Sequence, residues 1–308
     1  MTNTMRAAGI DRFGGDVRAV EVEAPPAPGP GEVLVEVRAA GVGNWDDIAR
    51  TGGWDLGARP PMALGVEAAG VVAAVGGDVR DVAVGSRVAV HSAPFLAQGA
   101  WASQFLVRAA EVAALPEGLD FDAAAAFAVP ALTADQTLQD AVGLKPGETL
   151  LVHGAGGVTG RLLVALGSYH GARVIVTGSP SSAERLRALG AAQVLSYSDP
   201  GWPDAARELG IDCAVNAVPG QAGQVLAAVR DGGRLATITS DPPAPARGIT
   251  PAEVYVAPDG PRLATLLRLL AAGTLPLEIG ARYPLADAAG ALAHVREGAH
   301  GTAVVVTI

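Results

Sequence analysis

Apolar positions along the chain fall into two regimes. Over the first third they come as short β-type runs, Arg18 to Glu23, Glu32 to Ala39, Gly70 to Val75 and Arg87 to His91, separated by turn signals such as the Pro25 to Pro30 cluster and Gly76-Gly77. Short strands punctuated in this way predict a β-rich, barrel-like domain. From Asp120 the pattern turns helical: Phe121 to Phe127 is alanine-rich, Pro130 interrupts it, and Leu132 to Val142 resumes. Beyond Lys145-Pro-Gly147, strand-like and helical stretches alternate through Thr149 to His153, Ala172 to Thr177, Val194-Leu195, Cys213 to Val218 and Arg234 to Ile238. That alternation predicts a parallel sheet wound with helices, and the fold class is α/β. A helix over Pro261 to Ala272 and a strand over Thr302 to Ile308 close the chain. The Pro-rich stretch Asp241 to Pro251 reads equally as a plain surface loop or a lid.

The first of the alternating strands runs into Gly154, Ala155, Gly156, Gly157 and Val158, with Gly160 one turn further into an apolar helix. Strand, glycine turn, helix and strand build a dinucleotide site. The glycines allow a tight turn, a close approach of pyrophosphate to backbone N–H groups, and close helix–strand packing. A helix opening near Gly157 aims its unpaired N–H groups and positive dipole end at the phosphates. Glycine turns occur in many strand-to-helix loops, but the flanking strands and helix favour cofactor binding here.

The 308 residues, half of them hydrophobic, are enough to bury a large core and suggest two domains. A formal net charge of −9 opposes a polyanion partner, so nucleic acid is not expected. Cys213 is the only cysteine, which excludes an internal disulfide, and its apolar surroundings make it a buried strand thiol. The N-terminus from Met1 lacks the apolar core of a signal peptide, and no apolar run reaches the ~20 residues of a membrane span. A cytoplasmic enzyme acting on a small molecule is the expectation.

Several motifs together resemble a known family. They are Met5-Arg-Ala, Gly31 to Gly41, Leu64-Gly-Val-Glu-Ala-Ala-Gly-Val-Val72, Gly99-Ala-Trp-Ala-Ser-Gln-Phe105, the glycine turn, and Tyr283-Pro-Leu-Ala-Asp-Ala-Ala289. The chain resembles the medium-chain dehydrogenase/reductase superfamily, most of all its zinc-free quinone oxidoreductase branch. The resemblance implies a GroES-like domain built from residues 1–122 and 260–308 and an inserted Rossmann domain over 123–259. It also implies an active site in the cleft between them and a homodimer joined through the Rossmann sheet edge. Zinc-dependent relatives carry Cys and His ligands at positions matching Gly43 and Val66; here both are absent, and so is any cysteine cluster, so no metal is expected. Asp46, Asp47, Glu67 and His91 read better as polar structural residues than as an unrelated carboxylate site.

NAD enzymes place an acid at the end of the second strand, against the ribose 2′-hydroxyl. This chain has Thr177-Gly-Ser-Pro-Ser-Ser182 and no acid before Glu184. Ser179 and Ser182 as hydroxyl donors with Arg185 as charge partner would receive a 2′-phosphate, so NADPH is the expected cofactor. Ser181 with Glu184 also matches a capping box, and Arg185 a solvated helix residue. The resemblance implies Tyr197 beside the adenosine ribose or its phosphate, Thr133 near the nicotinamide amide, and Asn216, Val218, Thr237 and Ile238 along the ring.

Tyrosines common in the branch are absent at Ile48 and Trp54, and asparagine stands at Asn44, one position later than usual. Asn44 to a substrate carbonyl, Asp46 nearby and Trp54 stacked on a flat ring are the catalytic candidates, each with an equal structural reading as loop former, cap or packed aromatic. The leading expectation is reduction of a quinone or an α,β-unsaturated carbonyl compound. An enoyl or ketone reductase of a polyketide-type pathway is one alternative, and a non-catalytic NADPH-binding sensor or structural protein is another.

Overall fold

The computed structural model describes residues 3–308. Met1 and Thr2, where the signal-peptide reading begins, lie outside the described residues. The chain divides into two compact units: one takes the chain up to Val129 with Ala257–Ala272 and Leu277–Ile308, the other Pro130–Val256 with Gly273–Pro276.

In the first unit, a sheet of seven strands runs Ile279–Pro284, Ala303–Thr307, Glu32–Val42, Glu67–Val75, Arg87–His91 and Val112–Ala114, with Gln104–Arg108 also paired to Glu32–Val42. A three-stranded sheet joins Arg18–Glu23, Thr4–Ile10 and Met62–Ala63. The alternation in Glu32–Val42 explains its role: Val33, Val35 and Val37 are buried, while Glu36 and Arg38 face out. One face of an antiparallel sheet is thereby packed and the other solvated. The last strand pairs antiparallel with this one, Val304 opposite Val42 and Thr307 opposite Ala39, so both ends of the chain complete the GroES-like unit.

The second unit is a six-stranded parallel sheet in the order Ala191–Ser196, Arg173–Gly178, Thr149–His153, Ile211–Asn216, Val229–Thr237 and Ala252–Glu253. Thr149–His153 is buried at every position, as expected of a central strand covered on both faces. Leu151, Ile175, Ala214, Val225 and Leu235 join one apolar cluster that also takes in Trp202 and Ile249.

One expectation changes. Pro130 does not interrupt a helix: it lies third in Ala128–Gln136, in the first turn, where a missing N–H removes no intrahelical bond. The Pro-rich stretch after Asp241 is anchored near its end. The Arg247 guanidinium donates to the carbonyls of Val229 and Leu226 and to Asp231, and Ile249 is 1% exposed in the core.

Candidate functional site

The glycine turn follows the C-terminal end of Thr149–His153, the edge where parallel sheets receive ligands. Gly154 has φ of +90°, the left-handed region that favours glycine. A Cβ on Gly160 would lie 2.2 Å from the Gly154 carbonyl oxygen, so only glycine lets this helix close on the turn. A Cβ on Gly156 would meet nothing within 4 Å, leaving open space in front of the backbone. Gly157 is the N-cap of Val158–Tyr169, has no side chain to satisfy the free N–H groups of that helix, and leaves them to an anion. Ala155 is fully buried and Val158 opens the helix half-buried. The turn thus fits the pyrophosphate of a dinucleotide by the geometry of its own residues.

His153, directly before the turn, was not singled out by sequence. Its ring stacks on Trp202 with centroids 4.8 Å apart. Thr177 Oγ1 accepts the Gly154 N–H at 3.3 Å and stands 2.8 Å from His153 Nδ1, while His153 Nε2 lies 2.9 Å from Gln221 Oε1. An amide oxygen only accepts, so Nε2 carries the proton and Nδ1 receives the Thr177 hydroxyl. Burial holds the His153 pKa below its ordinary value, against the opposing Gln221 contact, and so favours the neutral ring.

At the end of the second strand, Ser179 and Ser182 turn inward on each other. The Ser179 hydroxyl accepts the Ser182 N–H at 3.2 Å and lies 3.1 Å from the Ser182 hydroxyl, which donates to the Ser179 carbonyl oxygen at 2.9 Å. Ser182 is 8% exposed, and the cap of this turn is Ser179. Arg185 and Tyr197 are exposed, and Arg185 has no ion pair among the described residues. Thr133 is half-buried in Ala128–Gln136, its carbonyl oxygen accepting the Thr137 hydroxyl.

Asn216 and Thr237 are fully buried at adjacent strand ends, with Val218 and Ile238 half-buried just beyond them. The Asn216 amide is spent inside the protein: its oxygen accepts the Val218 N–H at 3.2 Å, and its nitrogen donates to the Val218 carbonyl at 3.1 Å and to Thr239 Oγ1 at 2.9 Å. Asn216 therefore shapes the loop. Asp241, which sequence reasoning passed over, accepts from Thr237, Thr239 and the Gly220 N–H. Burial raises its pKa, yet these donors outweigh it and hold the carboxylate below its ordinary value. A Thr-x-Thr-x-Asp run leaving a strand end was the available signal.

In the first unit, Asn44 opens the helix Asn44–Thr51 and is exposed. Asp46, from the same turn, is fully buried and accepts the Gly43 N–H at 2.9 Å, so it caps its own helix. Burial pushes its pKa up to about 8 in spite of backbone N–H groups at Gly43 and Gly65. Glu67 is 1% exposed, accepts the Val129 N–H at 2.6 Å and stands opposite His91 across the sheet. Burial, with Asp46 nearby, raises its pKa well above the ordinary carboxylate range. Gly41 makes room for it: a Cβ there would lie 2.1 Å from Glu67 Oε1. His91 Nδ1 donates to the Val66 carbonyl at 3.0 Å. Trp54 is half-buried in the loop after the helix. Among the described residues no three His, Cys, Asp or Glu side chains gather in a metal-binding group, and the single thiol, Cys213, is buried in a strand of the other unit. These donors do not fit a zinc ion.

Comparison with known proteins agrees with this architecture. The alcohol dehydrogenase GroES-like domain matches residues 29–117, and a family described as zinc-binding dehydrogenase matches residues 189–306. The synaptic vesicle membrane protein VAT-1 homolog of Rattus norvegicus is 35% identical over 200 residues, 64% of this chain and 48% of that protein. The quinone oxidoreductase of Pseudomonas aeruginosa is 36% identical over 175 residues, 56% of this chain and 53% of that one. Part of the pikromycin polyketide synthase component PikAII of Streptomyces venezuelae is 38% identical over 204 residues, 66% of this chain and 5% of that protein. The chain spans about half the length of the first curated relatives it matches. Among solved structures, an NAD-dependent alcohol dehydrogenase superposes with a TM-score of 0.85 at 28% identity, covering 99% of this chain and 100% of that one. A mycobacterial protein complexed with NADPH gives 0.84 at 28% identity over the same shares. No helix among the described residues is long and apolar enough to cross a membrane. With two family matches in order along the chain and full-length structural likeness behind them, the chain belongs to the medium-chain dehydrogenase/reductase superfamily, in its quinone oxidoreductase-like branch.

Proposed function

We propose that the chain is a zinc-independent, NADPH-dependent reductase of a quinone or of an α,β-unsaturated carbonyl compound. The observation that carries the reading is the glycine turn, with its left-handed Gly154, its open face at Gly156 and its uncapped helix end at Gly157. Gly154, Ala155, Gly156, Gly157 and Val158 would hold the pyrophosphate. Arg185, exposed and without an ion pair among the described residues, would take the 2′-phosphate, with Ser179 and Tyr197 beside it. Thr133, Val218 and Ile238 would border the nicotinamide, with Asn216 and Thr237 supporting them from beneath.

When bound, the reduced nicotinamide supplies a hydride. Asn44, exposed at a helix start, would donate its amide N–H to the substrate oxygen on which charge develops, and Trp54 would offer a flat apolar face. Asp46 is buried and committed to the Gly43 N–H, so its role is to hold the Asn44 turn, and water would bring the proton that completes reduction. The likeness to part of a polyketide synthase supports a second substrate class, enoyl thioesters.

Oxidation of NADPH and of NADH with a panel of quinones, simple enones and an enoyl thioester tests the reading. Faster turnover with NADPH is expected, and Asn44→Ala should slow it by a factor on the order of 10²–10³ with cofactor binding intact. No turnover by the parent of any panel member, with NADPH bound tightly, would leave a binding protein in place of an enzyme.

A further inference from the structure

Asp241 stands where the chain leaves the strand Val229–Thr237, and its two oxygens hold different parts of the sheet edge. Oδ1 accepts the hydroxyls of Thr237 at 2.7 Å and Thr239 at 2.5 Å, on its own side of the edge. Oδ2 accepts the Gly220 N–H at 2.6 Å, from the loop that follows the neighbouring strand. Between Thr239 and Asp241, Ser240 has φ of +56°, a left-handed backbone costly for a residue other than glycine. Such a conformation persists only where surrounding contacts over-determine it, and the carboxylate supplies them on both sides.

The chain of contacts continues from Gly220 to the glycine turn. Asn216 grips Val218 by both its N–H and its carbonyl, and the Ala217 N–H donates to the His153 carbonyl at 2.9 Å. The Val218 side chain lies so close to Gly154 that a Cβ there would be 2.8 Å from it. The same loop therefore touches the start of the glycine turn at one end and Asp241 at the other. Ser179, Arg185 and Tyr197, by contrast, lie on the far side of the sheet order, beyond Thr149–His153.

We infer that Asp241 is a positioning residue for the nicotinamide half of the cofactor: it fastens the loop 217–220 against the glycine turn and leaves the adenosine half untouched. This rests on the reading that the turn holds a nicotinamide dinucleotide. A carboxylate that merely secured its own surface loop would affect neither half, and one that held the whole unit together would affect both alike.

Titration calorimetry of the parent and of Asp241→Asn, with NADPH and with 2′,5′-ADP as a probe of the adenosine half, separates these cases. The substitution keeps the shape but leaves one acceptor oxygen where there were two, so the Gly220 N–H and the two threonine hydroxyls can no longer all be held by an oxygen, and the charge is gone. NADPH affinity should fall about tenfold or more, and 2′,5′-ADP affinity should stay within about twofold. Thr239→Val, which leaves the carboxylate in place, should give a smaller loss of the same selectivity and serves if the first variant folds poorly. Amide exchange at 217–220 should quicken in both variants without ligand. Equal losses for both ligands, or none for NADPH, would overturn the role of Asp241. A parent that binds 2′,5′-ADP no more weakly than NADPH, or binds neither, would instead overturn the dinucleotide reading and the inference with it.

Discussion

Burial governs Asp46 and Glu67 in the core of the GroES-like unit, whereas hydrogen-bond donors govern Asp241, Glu148 and Asp212 in the parallel-sheet unit. Asp46 and Glu67 are almost wholly out of water, with few backbone N–H groups to compensate, and their carboxyls keep their protons past the ordinary range. Asp241, Glu148 and Asp212 keep some access to water and face several donors. For Glu148 the Arg234 guanidinium leads, and for Asp212 the Thr149 N–H with Arg230 and Arg234 outweighs burial. The same residue types thus serve as neutral hydrogen-bonding groups at Asp46 and Glu67 and as charges at Asp241, Glu148 and Asp212. Donor supply decides which, because an uncompensated buried charge costs far more than a neutral carboxyl in the same place.

The strongest test of that contrast is pH. Folded, Asp46 holds its proton up to about pH 8; unfolded, it loses it near the ordinary carboxylate value. The folded state binds the extra proton, so stability falls as pH rises between those limits, at about 1.4 kcal/mol per pH unit and roughly 4 kcal/mol from pH 5 to 8. Asp46→Asn keeps an oxygen for the Gly43 N–H and removes the titration. Amide exchange across Asn44–Thr51 should therefore lose that share of its pH slope, and identical slopes in parent and variant would break the comparison.

A middle-sized effect belongs to the parallel-sheet unit. Thr177→Val withdraws the hydroxyl between Gly154 and His153 and leaves an N–H and a ring nitrogen without it, at a cost of about 1–3 kcal/mol. Thermal unfolding followed at Trp202, which stacks on His153, should report the loss, and a shift below about 0.5 kcal/mol would mean that the network is dispensable.

The smallest effect has the opposite pH sign. Arg234 holds the Glu148 pKa down, so this pair stabilises the fold above the ordinary glutamate value and fades as pH falls below it. Both partners are partly exposed, so Glu148→Gln should cost only about 0.5–1 kcal/mol near pH 7 and nothing in acid. A loss that persisted in acid would assign Glu148 to packing.

The parallel-sheet unit was the more legible in sequence. Its strands are continuous apolar runs, and its turn is spelled out by Gly154, Gly156 and Gly160, whose geometric roles differ as their spacing suggests. The helix Asn44–Thr51 left no apolar trace, because its buried positions are Asp46 and Ala49. A carboxylate in the core reads as surface to any hydrophobic pattern. Glu67 was hidden likewise, since its space comes from the missing side chain of Gly41 on a neighbouring strand. Ser182 looked available for a phosphate in sequence, but its hydroxyl is turned back onto Ser179 by a short 3₁₀ turn that no periodicity reveals. Asp241 was signalled in sequence only by its Thr-x-Thr-x-Asp run, and what it holds became visible when parallel pairing brought Asn216 opposite Thr237.

The pairing of Ala303–Thr307 with Glu32–Val42 also sets an order of events during synthesis. The edge of Glu32–Val42 is shared: Gln104–Arg108 covers Glu32 to Glu36, while the terminal strand covers Ala39 to Val42. While a ribosome extends the chain, the first of these partners emerges before the parallel-sheet unit and the second after it. Through the making of the whole parallel-sheet unit, a short row of backbone N–H and carbonyl groups beside Ala39 to Val42 stays open to any passing strand. The unit begun first is finished second, and its unfinished edge is where a nascent chain is most exposed to pairing with the wrong neighbour.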